Sequence, residues 1–238
     1  MTFPAFLAPD QPIRAEMTHR SERPGPVIVA FWRFGPYHLA RLAAARRRLH
    51  ARGLAFGTDD GYGWDHEASE CVDTLLPGQS IEQPDPETSA RRFGDVLARD
   101  RPRAVAIPGW GDPVSLAVLR EAKVRRIPLV LMSESTARDE PRVAWKEAVK
   151  RRIVRLFDAA LVGGRPQADY VAQLGMPPER IFLGYDVVDN AHFARPAPAP
   201  AEIGPWNGRP FLLASARFIA KKNLPSLLRA FARYRELA

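Results

Sequence analysis

Short apolar runs alternate along this chain with longer segments in which apolar residues recur at helical spacing. Val27-Ile-Val-Ala-Phe-Trp32, bounded by Pro26 and Gly35, predicts a buried strand. Pro36 stands where a helix can begin, because its missing N–H costs little in a first turn. Tyr37 to Arg52 then predicts a helix closed by Gly53, with Leu39, Leu42 and Leu49 on one face. Arg41, Arg47, Arg48 and Arg52 fall away from that face, and Arg46 lies at its margin. Leu54 to Thr58 and Val72 to Leu76 predict short strands, the second stopped by Pro77-Gly78. Between them Asp59-Asp-Gly-Tyr-Gly-Trp-Asp65 has the chemistry of a loop. Pro86 to Arg99 predicts a helix.

From there the alternation becomes regular. Strands are expected at Ala104–Ile107, Pro128–Met132, Ala159–Val162 and Ile181–Leu183. Helices are expected at Pro113–Arg125, Arg142–Leu156 and Pro166–Leu174, the last closed by Gly175. Trp145, Ala148, Val149, Ile153 and Leu156 would form the core face of the helix that carries them. Repeated strand–helix units predict an α/β domain: a parallel, doubly wound, Rossmann-like sheet with helices on both faces.

Ligands of such sheets bind outside the carboxyl ends of the strands. That rule selects the loops Arg33–His38, Pro108–Asp112, Ser133–Asp139 and Gly163–Arg165.

After Asn190, the proline-alternating run Arg195 to Ala201 and then Gly204-Pro-Trp-Asn-Gly208 predict a stiffened interdomain linker. The closing stretch from Phe211 reads as one strand, a basic turn and one amphipathic helix. A lone strand and helix have no sheet of their own, so they predict the opening of a second, incomplete domain. The expected organisation is a loose leader over 1–26, a Rossmann-like domain over 27–190, a linker over 191–209 and the second-domain start over 210–238.

Composition narrows the function classes. The single cysteine, Cys71, excludes an internal disulfide framework and a cysteine-rich metal site. No apolar run approaches the roughly 20 residues of a membrane span, and the first 26 residues, broken by five prolines, lack the core of a signal peptide. These features imply a cytoplasmic protein. The net charge of +8 is mostly arginine. It fits phosphorylated ligands, an anionic membrane face or nucleic acid, and equally a solvated arginine-rich surface. Nucleic acid is the poorer reading, because aromatics are not interleaved with the basic runs. The arginines of the first helix, with Lys146, Lys150, Arg151, Arg152 and Arg155, either face anionic lipid or form a solvated helix face.

The strand-end loops hold the candidate chemistry. Gly35 lets a backbone approach a bound ligand closely, or else serves a tight strand-to-helix turn. His38 contacts a ligand hydroxyl or is an ordinary first-turn residue. Glu134 orients a ligand hydroxyl or acts as base, or else pairs with Arg138 or Arg142. Asp139 has the same two readings. Trp110 stacks on a ligand ring or packs as core at the sheet edge. Asn190 reads as a turn residue at the hinge.

Three segments carry a resemblance: Phe34-Gly-Pro-Tyr-His-Leu-Ala-Arg-Leu42, Gly184-Tyr-Asp-Val-Val-Asp-Asn-Ala-His-Phe193 and Ala216-Arg-Phe-Ile-Ala-Lys-Lys-Asn-Leu224. Together they resemble family-four glycosyltransferases of the GT-B fold, which pair two Rossmann-like domains across a cleft. The resemblance spans almost the whole chain but only the first half of that architecture. It implies sugar transfer from a nucleotide-sugar donor, with retention, to a lipid-linked, saccharide or small-molecule acceptor.

The resemblance places Arg217 and Lys222 on the donor diphosphate, where cations offset the charge that develops on the leaving group. It makes Gly35 a further donor-side residue and Tyr37, His38, Trp110, Ser133 and Asp139 acceptor-side residues, with Glu134 the catalytic candidate. No metal or other cofactor is implied. Lipid-linked acceptors would put the protein at the inner face of a membrane, and a second chain would be one way to complete the donor domain. Ala216 and Asn223 stand where the family has glycine, the Ser133–Asp139 loop lacks the family's histidine, and the family's paired-glutamate motif would fall in the absent part. The chain alone is therefore expected to be catalytically weak or silent.

Overall fold

The computed structural model describes residues 25–59, 70–80, 85–196 and 211–237. The leader up to Pro24, most of the loop read at 59–65 and the linker beyond Pro196 lie outside the described residues. The chain forms two compact units, Met1–Phe193 and Ala194–Ala238.

The first unit is built on seven strands: β1 (Val27–Phe31), β2 (Ala51–Asp59), β3 (Val72–Ser80), β4 (Ala104–Ile107), β5 (Leu129–Ser133), β6 (Ala159–Val162) and β7 (Ile181–Leu183). All pair in parallel, in the order β3-β2-β1-β4-β5-β6-β7. Helices α1 (Pro36–Arg46), α2 (Pro86–Asp100), α3 (Pro113–Val124), α4 (Ala144–Val154) and α5 (Arg165–Gln173) make the crossovers, and a short turn of helix, α6 (Asn190–Phe193), ends the unit. The expected α/β Rossmann-like sheet is thus what forms. Strand order reverses between β1 and β4, which defines a switch point at their carboxyl ends.

Strand periodicity divides the core in two. Ile28, Val105, Ile107, Leu129, Leu131 and Val162 join the larger cluster on one face. Phe31, Ala106 and Met132, one position out of phase, join a smaller cluster with Leu42 of α1 on the other.

Four local expectations differ from the structure. First, α1 ends at Arg46, and Gly53 lies inside β2, paired with Val29 and Val72. A Cβ on Gly53 would come within 2.7 Å of the Phe34 ring and 2.8 Å of Val72, so this glycine serves strand packing, not helix closure. Leu49 accordingly lies beyond the helix.

Second, β3 runs through Pro77-Gly78 to Ser80. Proline is tolerated because β3 is an edge strand and the ladder shifts register between Gly57 and Asp59. Third, most of the apolar face expected to bury α4 is outside the core: Trp145 is 66% and Val149 43% exposed, and Val154 is the helix's one buried residue.

Fourth, the second unit shows a helix, α7 (Leu224–Leu237), but no strand over 211–217. A strand needs a neighbour to satisfy its backbone groups, and the described residues of this unit supply none.

Candidate functional site

The carboxyl edge of the sheet brings together residues from four connections. Gly35 is the residue before α1, and its N–H donates to His38 Nδ1 at 3.2 Å. The His38 ring lies 4.2 Å from that of Phe31. Burial first, then the cations Arg41 and Arg33, lower the His38 pKa from 6.5 to about 4. The imidazole is therefore neutral at neutral pH, and with Nδ1 accepting, its proton sits on Nε2 as a donor.

One turn along α1, Arg41 reaches the segment that follows β7. Its Nη2 donates to Asp186 Oδ1 at 2.6 Å and its Nε to the Val187 carbonyl at 2.8 Å. Its guanidinium also lies 5.3 Å from the centre of the Tyr185 ring. Gly184 makes the approach possible: at φ +106 it turns the chain so that its own N–H and that of Tyr185 both donate to the Val162 carbonyl. Tyr185 is buried and stacks on Phe31 at 6.3 Å. Burial first, then Glu134, pushes its hydroxyl pKa up to about 12.

Glu134 is the first residue after β5. Its outer side is open to solvent, yet partial burial of the carboxyl, then Asp186, raises its pKa, while Arg41 opposes the rise. Its backbone carbonyl accepts from Gln167 Nε2 of α5 at 3.4 Å. The result is an acid–base cluster in which Glu134, Asp186, Arg41, Tyr185 and His38 interact at one edge. A carboxyl raised in this way is a better proton acceptor than a free one, and a fixed guanidinium beside it holds an anion or a hydroxyl-rich ligand.

Among the other candidates, Ser133 is buried, and its Oγ accepts from the Ser135 N–H at 3.2 Å. Asp139 caps its own loop by accepting from the Thr136 N–H at 2.7 Å. Trp110 packs against the larger core cluster. Tyr37 is exposed and stacks on Phe193 at 6.0 Å. Arg142, one of the two partners expected for Glu134, pairs instead with Glu147 at 3.2 Å. Arg217 and Lys222 lie in the second unit, Arg217 before a short turn of helix that starts at Ala220 and Lys222 as the last residue of that turn.

Sequence reasoning missed Arg41, Gln167, Tyr185 and Asp186. The periodicity sets Arg41 away from the apolar face of its helix, but its side chain is only 17% exposed. The signal was present in Gly184-Tyr-Asp, a glycine that turns the chain directly before an aromatic and a carboxylate. Among the described residues no group of His, Cys, Asp and Glu could hold a metal ion, and no helix is long and apolar enough to cross a membrane.

Solved structures with a similar course of chain include UDP-N-acetylglucosamine 2-epimerase from Rickettsia bellii, with 15% identity, TM-score 0.48 and coverage of 67% of this chain and 44% of that one. The enzyme of the same name from Methanocaldococcus jannaschii gives 14% identity, TM-score 0.46 and coverage of 66% and 44%. That from Neisseria meningitidis, bound to UDP-GlcNAc, gives 11% identity, TM-score 0.43 and coverage of 66% and 45%. This chain thus spans less than half the length of each. No curated protein matches it. The family model for a glycosyl transferase 4-like domain matches residues 35–185, which is more than half of the chain and runs from Gly35 to Tyr185 of the edge cluster, so the chain belongs to the glycosyl transferase 4-like domain family.

Proposed function

We propose that residues 25–193 form the acceptor side of a retaining glycosyltransferase that uses a nucleotide-sugar donor. The observation that carries this reading is the juxtaposition of Glu134 with Arg41, Asp186 and Tyr185 at the carboxyl edge of a sheet whose family is glycosyl transferase 4-like. In this reading the acceptor hydroxyl lies between Glu134 and the neutral His38. Its oxygen forms the new bond to the anomeric carbon, the bond from that carbon to the donor diphosphate breaks, and Glu134 takes the hydroxyl proton. His38 Nε2 donates to a sugar or acceptor oxygen, and exposed Tyr37 offers a ring face at the rim.

Residues 211–237, which carry α7, are the start of a donor-binding domain. Arg217 and Lys222 there offset the charge on the departing diphosphate. Turnover then needs the remainder of that domain, and the chain by itself binds more readily than it reacts.

Calorimetry with UDP-glucose and GDP-mannose, on the chain and on a form extended by a donor domain, tests the reading. The expected result is donor binding that Arg217→Ala removes, and transfer by the extended form that Glu134→Gln abolishes with donor binding intact. Turnover by the 238-residue chain alone would overturn the claim that it is catalytically silent. A second reading rests on α7, which leaves Leu227, Leu228, Phe231 and Tyr234 exposed: a separate polypeptide completes the donor domain on this face. A donor-domain chain that forms a stable complex only with an intact α7 would support it.

A further inference from the structure

Helix α6 buries none of its own residues, yet it is fastened at several points. Asp189 Oδ1 accepts from the Ala191 N–H at 3.0 Å and from the His192 N–H at 3.2 Å, and the Asp189 carbonyl accepts from the Phe193 N–H at 3.2 Å. The His192 ring stands edge-on to the Phe193 ring, with centres 5.1 Å apart. These contacts order a side chain that joins neither core cluster: Phe193 is 57% exposed.

The partner of that ring is Tyr37, in the first turn of α1 and 44% exposed. The two rings lie 6.0 Å apart, centre to centre, and 16° from parallel. At that separation they are offset, so they tile one flat apolar surface instead of covering each other. Exposed Val187 and Val188 add aliphatic surface on the connection that leads from β7 to α6. The surface adjoins the acid–base cluster. Tyr37 and Arg41 stand four residues apart on one side of α1. Arg41 in turn holds the Val187 carbonyl and Asp186, and both Arg41 and Asp186 act on Glu134.

We propose that Tyr37 and Phe193, with Val187 and Val188, form a ledge that receives a planar aromatic group of the acceptor, whose hydroxyl then reaches Glu134. The inference rests on the reading of this edge as an acceptor site, and it narrows the substrate class to alcohols and phenols on an aromatic carrier.

The chemistry of the ledge selects this group. Of the hydrogen-bond acceptors that border it, Asp186 and the Val187 carbonyl are taken by Arg41, and Asp189 by the N–H groups of α6. A saccharide laid here would give up hydration for acceptors already occupied. A flexible alkyl chain would touch the rings only along its length and would lose rotational freedom in doing so. A rigid aromatic ring meets both faces at once and carries no hydroxyls to satisfy except the one that reacts.

Titration of the full chain with 2-naphthol, followed by proton saturation-transfer NMR, tests it. Binding should saturate, and Tyr37→Ala and Phe193→Ala should each weaken it about tenfold. Tyr37→Phe, which keeps the ring, should bind as the parent does. Trp145→Ser, which removes an exposed ring from α4, should leave binding unchanged. Equal loss in Trp145→Ser overturns the proposal, because binding would then be a general affinity for exposed rings. Octanol bound as tightly as 2-naphthol, or methyl glucoside bound in its place, overturns it too. The titration needs no donor, so its failure is separable from that of the transfer reading. Sugar transfer to a saccharide by the extended form, with no naphthol binding, sinks the ledge and keeps the transfer reading. Naphthol binding that the ledge variants lose, with no transfer by the extended form to any acceptor, removes the transfer reading and leaves the ledge as an aromatic-ligand site.

Discussion

Arg41 and Asp186 stand 145 residues apart in sequence and 2.6 Å apart in space. The pair fastens the segment after β7 to the first turns of α1, and the Arg41 Nε bond to the Val187 carbonyl makes the grip two-pointed. Asp186 is itself half open to solvent, so screening limits the energy of the pair. Arg41→Ala should cost about 1–2 kcal/mol in urea unfolding, because a charge-assisted hydrogen bond and a backbone acceptor are lost together. It should also raise the Glu134 pKa further, since Arg41 is what opposes the rise. A carbon-13 titration of the Glu134 carboxyl reads this directly, and an unmoved titration curve would separate Arg41 from the site.

His38 predicts the acid limit of the fold. Its folded pKa is lowered from 6.5 to about 4, so the folded state binds fewer protons than the unfolded one between those values. The stability it contributes is fully present above pH 6.5 and is lost progressively as pH falls toward 4. Proton NMR should show the imidazole neutral down to that range. Denaturant midpoints measured from pH 7 to pH 4 should fall less steeply in His38→Gln than in the parent chain. Parallel slopes would mean that other groups govern the acid limb.

The sheet was legible because its strands are short apolar runs between turn residues, a pattern that needs no tertiary information to read. The site was legible only as an address. The strand-end rule led to Gly35, His38 and Glu134, but Arg41 resembled any solvated helix arginine until Gly184 brought Asp186 back over the sheet. The periodicity of α4 correctly marked an amphipathic helix, yet it could not say whether its apolar stripe meets protein or another phase. The expected strand at 211–217 failed for a related reason: a ladder is a property of two segments, and sequence describes one.

Gly53 and Gly35 give opposite expectations. Gly53→Ala would press a Cβ to 2.7 Å from the Phe34 ring, 2.8 Å from Val72 and 3.0 Å from Leu42. Overpacking of this kind costs about 1–3 kcal/mol, seen as a lowered denaturant midpoint. Gly35 has φ −93, and a Cβ there meets nothing closer than His38 Nδ1 at 3.8 Å. Gly35→Ala should therefore leave stability within about 0.5 kcal/mol of the parent. If it nevertheless weakens nucleotide-sugar binding, the glycine is there for the ligand; unchanged binding would make it a turn residue only.

Tyr170→Phe tests what seats α4. The Tyr170 ring is buried in the larger cluster, and its hydroxyl meets Glu147, Lys150 at 3.1 Å and Arg142 at 2.6 Å. Arg142 also stands 5.1 Å from the ring centre, a contact that phenylalanine keeps. The substitution removes only the oxygen on which three charged groups converge, and they lie near enough to the surface to regain water. The expected cost is about 1–2 kcal/mol of global stability. Hydrogen exchange should report a larger local effect, with faster exchange across Ala144–Val154 than across α3, because the Glu147–Tyr170 contact fixes the inward side of a helix that has one buried apolar residue. Uniform acceleration over both helices would place the hydroxyl in the general stability of the core and leave α4 held by Val154 and Ile153 alone.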